Sequence, residues 1–127
     1  MLKSAAPLLL LAAAGALLAP AKAATIRDST GKASGCALRV DFGSYAMGID
    51  GTAAQEIERT ILSARGVGQV TRHRWGREGE YTLCVRMRTA GAAAALFQRL
   101  RPLLPPKPHG PITLSLADGR IVRAPRR

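Results

Sequence analysis

The chain has 127 residues and a formal net charge of +11, from 19 Lys and Arg against 8 Asp and Glu. That length excludes several domains, and a surface this basic favours anionic partners: lipid headgroups, lipopolysaccharide, acidic wall polymers or nucleic acid. Beyond the first 23 residues only Lys32 and Lys107 are lysines, an arginine bias that G- and C-rich coding would also produce.

The N-terminus has the three parts of an export signal. Met1-Leu2-Lys3 is a short positive region, residues 7–19 are an apolar Leu- and Ala-rich run, and Ala21-Lys22-Ala23 is a small-x-small cleavage site before Ala24. The apolar run is short for a bilayer of about 30 Å and no second one follows, so a removed signal peptide over residues 1–23 is expected rather than an anchor. This places the protein in the periplasm or outside the cell. Ala33-Ser34-Gly35-Cys36 has the form of a lipoprotein processing site, but a polar segment separates it from the apolar run, and lipidation is rejected. Cys36 and Cys84 are the only cysteines, and in an oxidising compartment they are expected to pair.

Residues 24–35 are small, polar or charged without periodicity and read as a flexible arm. A single domain over residues 36–124 follows, then a basic tail over 125–127. Leu38, Val40 and Phe42 alternate with Arg39 and Asp41 as in a half-buried strand. Residues 43–51 form a loop. Thr52 and Gln55 have capping-box spacing, and Ile57, Ile61 and Ala64 continue a helix that Gly66 stops. Val67 and Val70 open a second strand reaching about Trp75, Gly76-Arg77-Glu78-Gly79 turns the chain, and Tyr81, Leu83, Val85 and Met87 mark a third. Thr89 caps a helix carrying Ala93, Leu96, Phe97 and Leu100, which ends near Pro102. After the stiff Pro105-Pro106-Lys107-Pro108 connector, Ile112, Leu114 and Leu116 form a hairpin with Ile121 and Val122, its Asp118-Gly119 turn predicted to be type I′.

That order predicts an α+β, ferredoxin-like β-α-β-β-α-β sandwich with both helices on one face of an antiparallel sheet, plus a C-terminal hairpin strand. The other face stays open. What it displays depends on hairpin register. With Trp75 opposite Tyr81, Arg39, Arg72, Arg74, Arg86 and Arg88 emerge together on the open face. A slip by one residue turns Trp75 and His73 outward and Arg72 and Arg74 toward the helices. The first register is favoured because burying two arginines without partners is costly.

Catalytic patterns are absent from the sequence. His73 and His109 have no metal-ligand spacing, and Ser44 sits in no nucleophile elbow. There is no phosphate loop, dinucleotide fingerprint or Cys-x-x-Cys. Asp50 and Asp41 read as a turn former and an ion-pair partner. The expectation is a binding module without enzymatic activity, cofactor or metal, using Arg39, Arg72, Arg74, Trp75, Arg86 and Arg88 toward an anionic envelope polymer or membrane surface. The alternatives are a protein-interaction module docking on another exported protein, or a sheet face merely solvated by arginines.

Val40-Asp41-Phe42-Gly43-Ser44-Tyr45 resembles the end of the first strand in SPOR domains, and the layout over residues 36 to about 117 is similar. The resemblance implies a ferredoxin-like fold and binding of peptidoglycan glycan strands on the open sheet face. The chain departs from that pattern at Ala46-Met47-Gly48-Ile49-Asp50, which delays the first helix, and the third strand lacks a second glycine-aromatic pair.

Overall fold

A computed structural model describes residues 24–126, and the expected signal peptide and the last residue of the basic tail lie outside them. Three runs of alternating apolar residues become the middle of one sheet. Leu38, Val40 and Phe42 of β2 (Leu38–Phe42) stand opposite Val85, Leu83 and Tyr81 of β4 (Tyr81–Met87) on one side, and opposite Leu116, Leu114 and Ile112 of β5 (Ile112–Leu116) on the other. Because facing residues in an antiparallel pair share a face, these nine side chains form one continuous apolar surface.

β3 (Val67–Arg74) adds to β4, and β6 (Ile121–Ala124) to β5. The segment read as a flexible arm contains a further strand, β1 (Ile26–Ser29), parallel to β3 at the sheet edge. The result is an α+β chain with one mixed six-stranded sheet, ordered β1-β3-β4-β2-β5-β6, and two helices.

Helix α1 (Gly51–Ser63) buries Ala53, Ala54, Ile57 and Ile61, and helix α2 (Ala90–Leu100) buries Ala93, Leu96, Phe97 and Leu100. Both stripes join the apolar sheet surface in a single core. The cap of α1 differs from the expected Thr52–Gln55 box. Asp50 is the N-cap: one carboxylate oxygen accepts from Ala53 N–H at 3.0 Å and the other from His109 N–H at 3.0 Å, so the same side chain ties the proline connector down. Thr89 caps α2 as expected, accepting from Ala92 N–H. Gly66 follows α1 with φ +83°, and a Cβ there would meet the Ala92 Cβ at 2.8 Å, so glycine serves both the turn and the approach of α2. A 3-10 turn over Arg101–Leu103 finishes α2 at Pro102.

Two expectations about turns and register are corrected. Only Gly119 has positive φ in the last hairpin, and Gly119 N–H and Leu116 N–H bond to Leu116 C=O and Arg120 C=O. The loop is therefore the three-residue Ala117-Asp118-Gly119 with a glycine bulge, rather than type I′.

In the β3–β4 hairpin the favoured register is overturned. Arg74 faces Tyr81, Arg72 faces Leu83 and His73 faces Thr82, so Arg72 and Arg74 stand on the helix side while His73 and Trp75 face away from the helices. The cause is a bulge at Gly68. Val67 faces Met87 but Gln69 faces Arg86, which flips the parity of everything after Gly68 and lets both Val67 and Val70 point into the core. The feared burial penalty is met by a partner from α1. Glu58 Oε1 accepts from Arg72 Nη2 at 2.8 Å and from the Tyr81 hydroxyl at 2.6 Å, while the Arg72 guanidinium lies 4.9 Å from the Tyr81 ring centroid and 3.6 Å from Asp28 of β1. Burial works against the charge of Arg72, but Glu58 and Asp28 outweigh it and its pKa is raised. Desolvation first, and then Glu58, push the Tyr81 hydroxyl far above its ordinary value.

Candidate functional site

The face away from the helices is built by cross-strand rows that the register dictates. One row runs Ser29, His73, Thr82, Asp41, Thr113, Arg123, and the next runs Arg27, Thr71, Cys84, Arg39, Ser115, Ile121. Hydroxyls outnumber guanidiniums. The face is a polar hydrogen-bonding surface with charges set into it, rather than the arginine field expected with Arg72 and Arg74 included.

That face is not fully open. β1 lies beside β3 and β2 lies two strands further on, so the connection between them, residues 30–37, must pass over β3 and β4. It crosses on the face away from the helices as a strap. Gly31 C=O lies 3.0 Å from His73 Nδ1, Ser34 C=O accepts from Arg86 Nη2 at 3.2 Å, and Ala37 N–H donates to Val85 C=O at 2.9 Å. The expected disulfide Cys36–Cys84 staples it, with Cα atoms 5.1 Å apart. The chain bends at Gly35, φ +65°, and again at Ala37 between Cys36 and Leu38, so Cys36 does not keep the parity of Leu38 and meets Cys84.

Beside the strap is a groove of about 440 Å³ lined by Gly31, Lys32, Ala33, Arg39, Asp41, His73, Arg74, Trp75 and Thr82. Its floor is a directional hydrogen-bond chain. Trp75 Nε1 donates to Thr82 Oγ1 at 3.1 Å, Thr82 Oγ1 donates to Asp41 Oδ1, and Arg39 Nε and Nη2 donate to the Asp41 carboxylate at 3.1 and 3.0 Å. Asp41 is the ion-pair partner the sequence suggested. The chain fixes the orientation of the Trp75 ring, which is 58% exposed, and holds a guanidinium and a carboxylate beside it. Such a site can stack an apolar ring face and hydrogen-bond its substituents.

His73 has both ring nitrogens engaged. A carbonyl only accepts, so Nδ1 carries the proton given to Gly31 C=O and Nε2 lies 2.8 Å from the Thr71 hydroxyl. The Ser44 hydroxyl accepts from Ala46 and Gly48 N–H and donates to Glu78, holding the loop that bears exposed Tyr45 and Met47. Neither is a free base or nucleophile. Among the described residues, no three His, Cys, Asp or Glu side chains gather where a metal could be held, and no helix is long and apolar enough to cross a membrane.

The six predicted ligand residues are thus divided. Arg39 and Trp75 meet in the groove. Arg74, on the helix side but exposed at its strand end, also reaches the groove's rim. Arg86 bonds the strap, Arg88 follows β4 with its backbone bonded to Gly66, and Arg72 is locked to Glu58. Thr82, Asp41, His73 and Lys32 complete the groove, none of them a predicted ligand residue. The alternation of Asp41 with Phe42 and of Thr82 with Leu83 did place both on the outer face. Comparison with protein-family models returns no match, and a search of the curated proteins returns none either.

Proposed function

We propose that the protein is an exported, non-enzymatic binding module that holds an anionic envelope polymer, with a peptidoglycan-type glycan as the ligand class favoured, in the groove between the strap and the outer sheet face. The observation that carries this reading is the pinned, exposed Trp75 beside the Arg39–Asp41 pair, with Lys32 and Arg74 at the rim. A sugar ring offers an apolar face for the indole and hydroxyls for Asp41, Thr82 and Arg39, and a carboxylate on the polymer finds the cations. The fold belongs to the proposal as well: with β2, α1, β3, β4, α2 and β5 in sequence and strands ordered β3-β4-β2-β5, the inner part follows the ferredoxin-like plan, extended by β1 and β6. The resemblance of residues 40–45 to SPOR domains points to the same ligand class. A disulfide suits the oxidising compartment that the signal sequence implies.

Cosedimentation of the chain lacking residues 1–23 with purified peptidoglycan tests the reading. Binding at low salt that weakens steeply as salt is added, and that falls in Trp75→Ala and Arg39→Gln, is expected. Retention unaffected by both substitutions would place the contact elsewhere.

A further inference from the structure

β6 closes one side of the sheet and, among the described residues, is paired only on its β5 edge. In an antiparallel pair, residues alternate between directing both backbone groups at the partner strand and directing both away. Leu116 N–H bonds to Arg120 C=O at 2.9 Å, so Val122 and Ala124 turn toward β5 while Ile121 and Arg123 present their N–H and C=O groups outward. Two outward residues spaced two apart are the template that an incoming strand requires.

The space beside this edge is shaped and charged. A cavity of about 700 Å³ is lined by Tyr45, Ile121, Arg101, Arg123 and Arg126, and another of about 390 Å³ sits between β6 and the Leu104-Pro105-Pro106 stretch, sharing the same three arginines. Among the described residues no carboxylate lines either one, and the ion pairs use Arg39, Arg72 and Arg120 instead. Among the described residues, these three guanidiniums have no acidic neighbour in either cavity, and they surround a strand edge that no other strand pairs.

We propose that the β6 edge takes up an extended acidic segment of a partner protein as an added strand, with its backbone paired to Ile121 and Arg123 and its carboxylates set on Arg101, Arg123 and Arg126. Charge selects this occupant. Pairing two copies of β6 would bring arginine-lined edges together, and like charges disfavour that arrangement. A glycan lacks the regular amide ladder that the edge offers. With the acids on the outer face beside Arg123, the alternating apolar side chains would lie on the opposite face, toward Leu104.

The test uses a capped hexapeptide alternating Glu and Val, a version with Lys in place of Glu, and a version with alternate amides N-methylated. NMR titration should show the acidic peptide slowing exchange of the Ile121 and Arg123 amides. Affinity should fall by about tenfold or more for the Lys peptide, for the N-methylated peptide and for the Arg101→Gln/Arg123→Gln/Arg126→Gln variant, whose fold is checked by circular dichroism. Trp75→Ala should bind the peptide as the parent does, which separates this site from the polymer groove. Equal binding of the N-methylated peptide, indifference to the triple substitution, or failure of the acidic peptide to protect those two amides would overturn the proposal. So would a peptide-free dimer in which the same amides are already protected.

Discussion

Replacing both cysteines with alanine isolates what the disulfide does. Cys36 and Cys84 are 48 residues apart in sequence, and closing a loop of that length restricts the unfolded chain by about 4 kcal/mol at 25 °C in the chain-entropy treatment. The folded state has little reason to change. Ala37 N–H still bonds Val85 C=O next to the bridge, Leu38 still pairs with Val85, and Arg86 still holds Ser34 C=O. The effect should therefore come through the unfolded ensemble. For a domain of this size about 4 kcal/mol corresponds to a fall in Tm on the order of 20 °C. Urea unfolding of the Cys36→Ala/Cys84→Ala protein should show that loss, with an unchanged native circular dichroism spectrum. The m-value should rise, because the unbridged chain unfolds to a more open state. A loss below about 1 kcal/mol would refute the reasoning. So would a native spectrum that collapses, since the strap would then depend on the bridge for its place.

Glu58→Gln should cost about 2 kcal/mol in urea unfolding, because Arg72 and Tyr81 both bond the same carboxylate oxygen. In a double-mutant cycle with Arg72→Met the two losses should fall short of additivity, and additive losses would contradict a direct coupling. The raised pKa of Tyr81 has a pH signature. The stability it contributes is complete below the ordinary tyrosine value near 10 and drains away as pH rises beyond it, because the folded state then holds a proton that the unfolded chain has lost. Phenolate absorbance of the parent minus that of Tyr81→Phe should show a midpoint well above 10, and a midpoint near 10 would contradict the Glu58 contact. Asp50→Ala removes both the α1 cap and the tie to His109, and should destabilise by about 2 kcal/mol, at the upper end for a cap.

The sheet centre and both helices were legible because their signals are local and repeated. Leu38-Val40-Phe42, Tyr81-Leu83-Val85 and Ile112-Leu114-Leu116 each alternate cleanly, and Leu96, Phe97 and Leu100 keep helical spacing. β1 was not legible, since Ile26 is its single large apolar residue and its pairing with β3 rests on backbone groups. The hairpin register was lost at one residue. Val67 and Val70 cannot share a face in a regular strand, and that spacing was the available sign of the bulge at Gly68. Glu58 carried no sign of its role, because a charge beside Ile57 on a helix reads as solvated until the opposing strand is placed. The candidate groove was half legible: Trp75 and Arg39 could be named, but the strap that makes their surface into a groove follows from β1, and so was hidden with it.

Trp75 is the only tryptophan in the chain, so its fluorescence and its single indole N–H resonance report the proposed groove alone. Titration with soluble peptidoglycan glycan fragments at low salt should shift the Trp75 emission and move the indole N–H signal saturably. Both responses should vanish in Arg39→Gln and at high salt. If the fragments bind, by calorimetry or sedimentation, while the Trp75 signals stay fixed, the outer-face groove is not where the polymer is held.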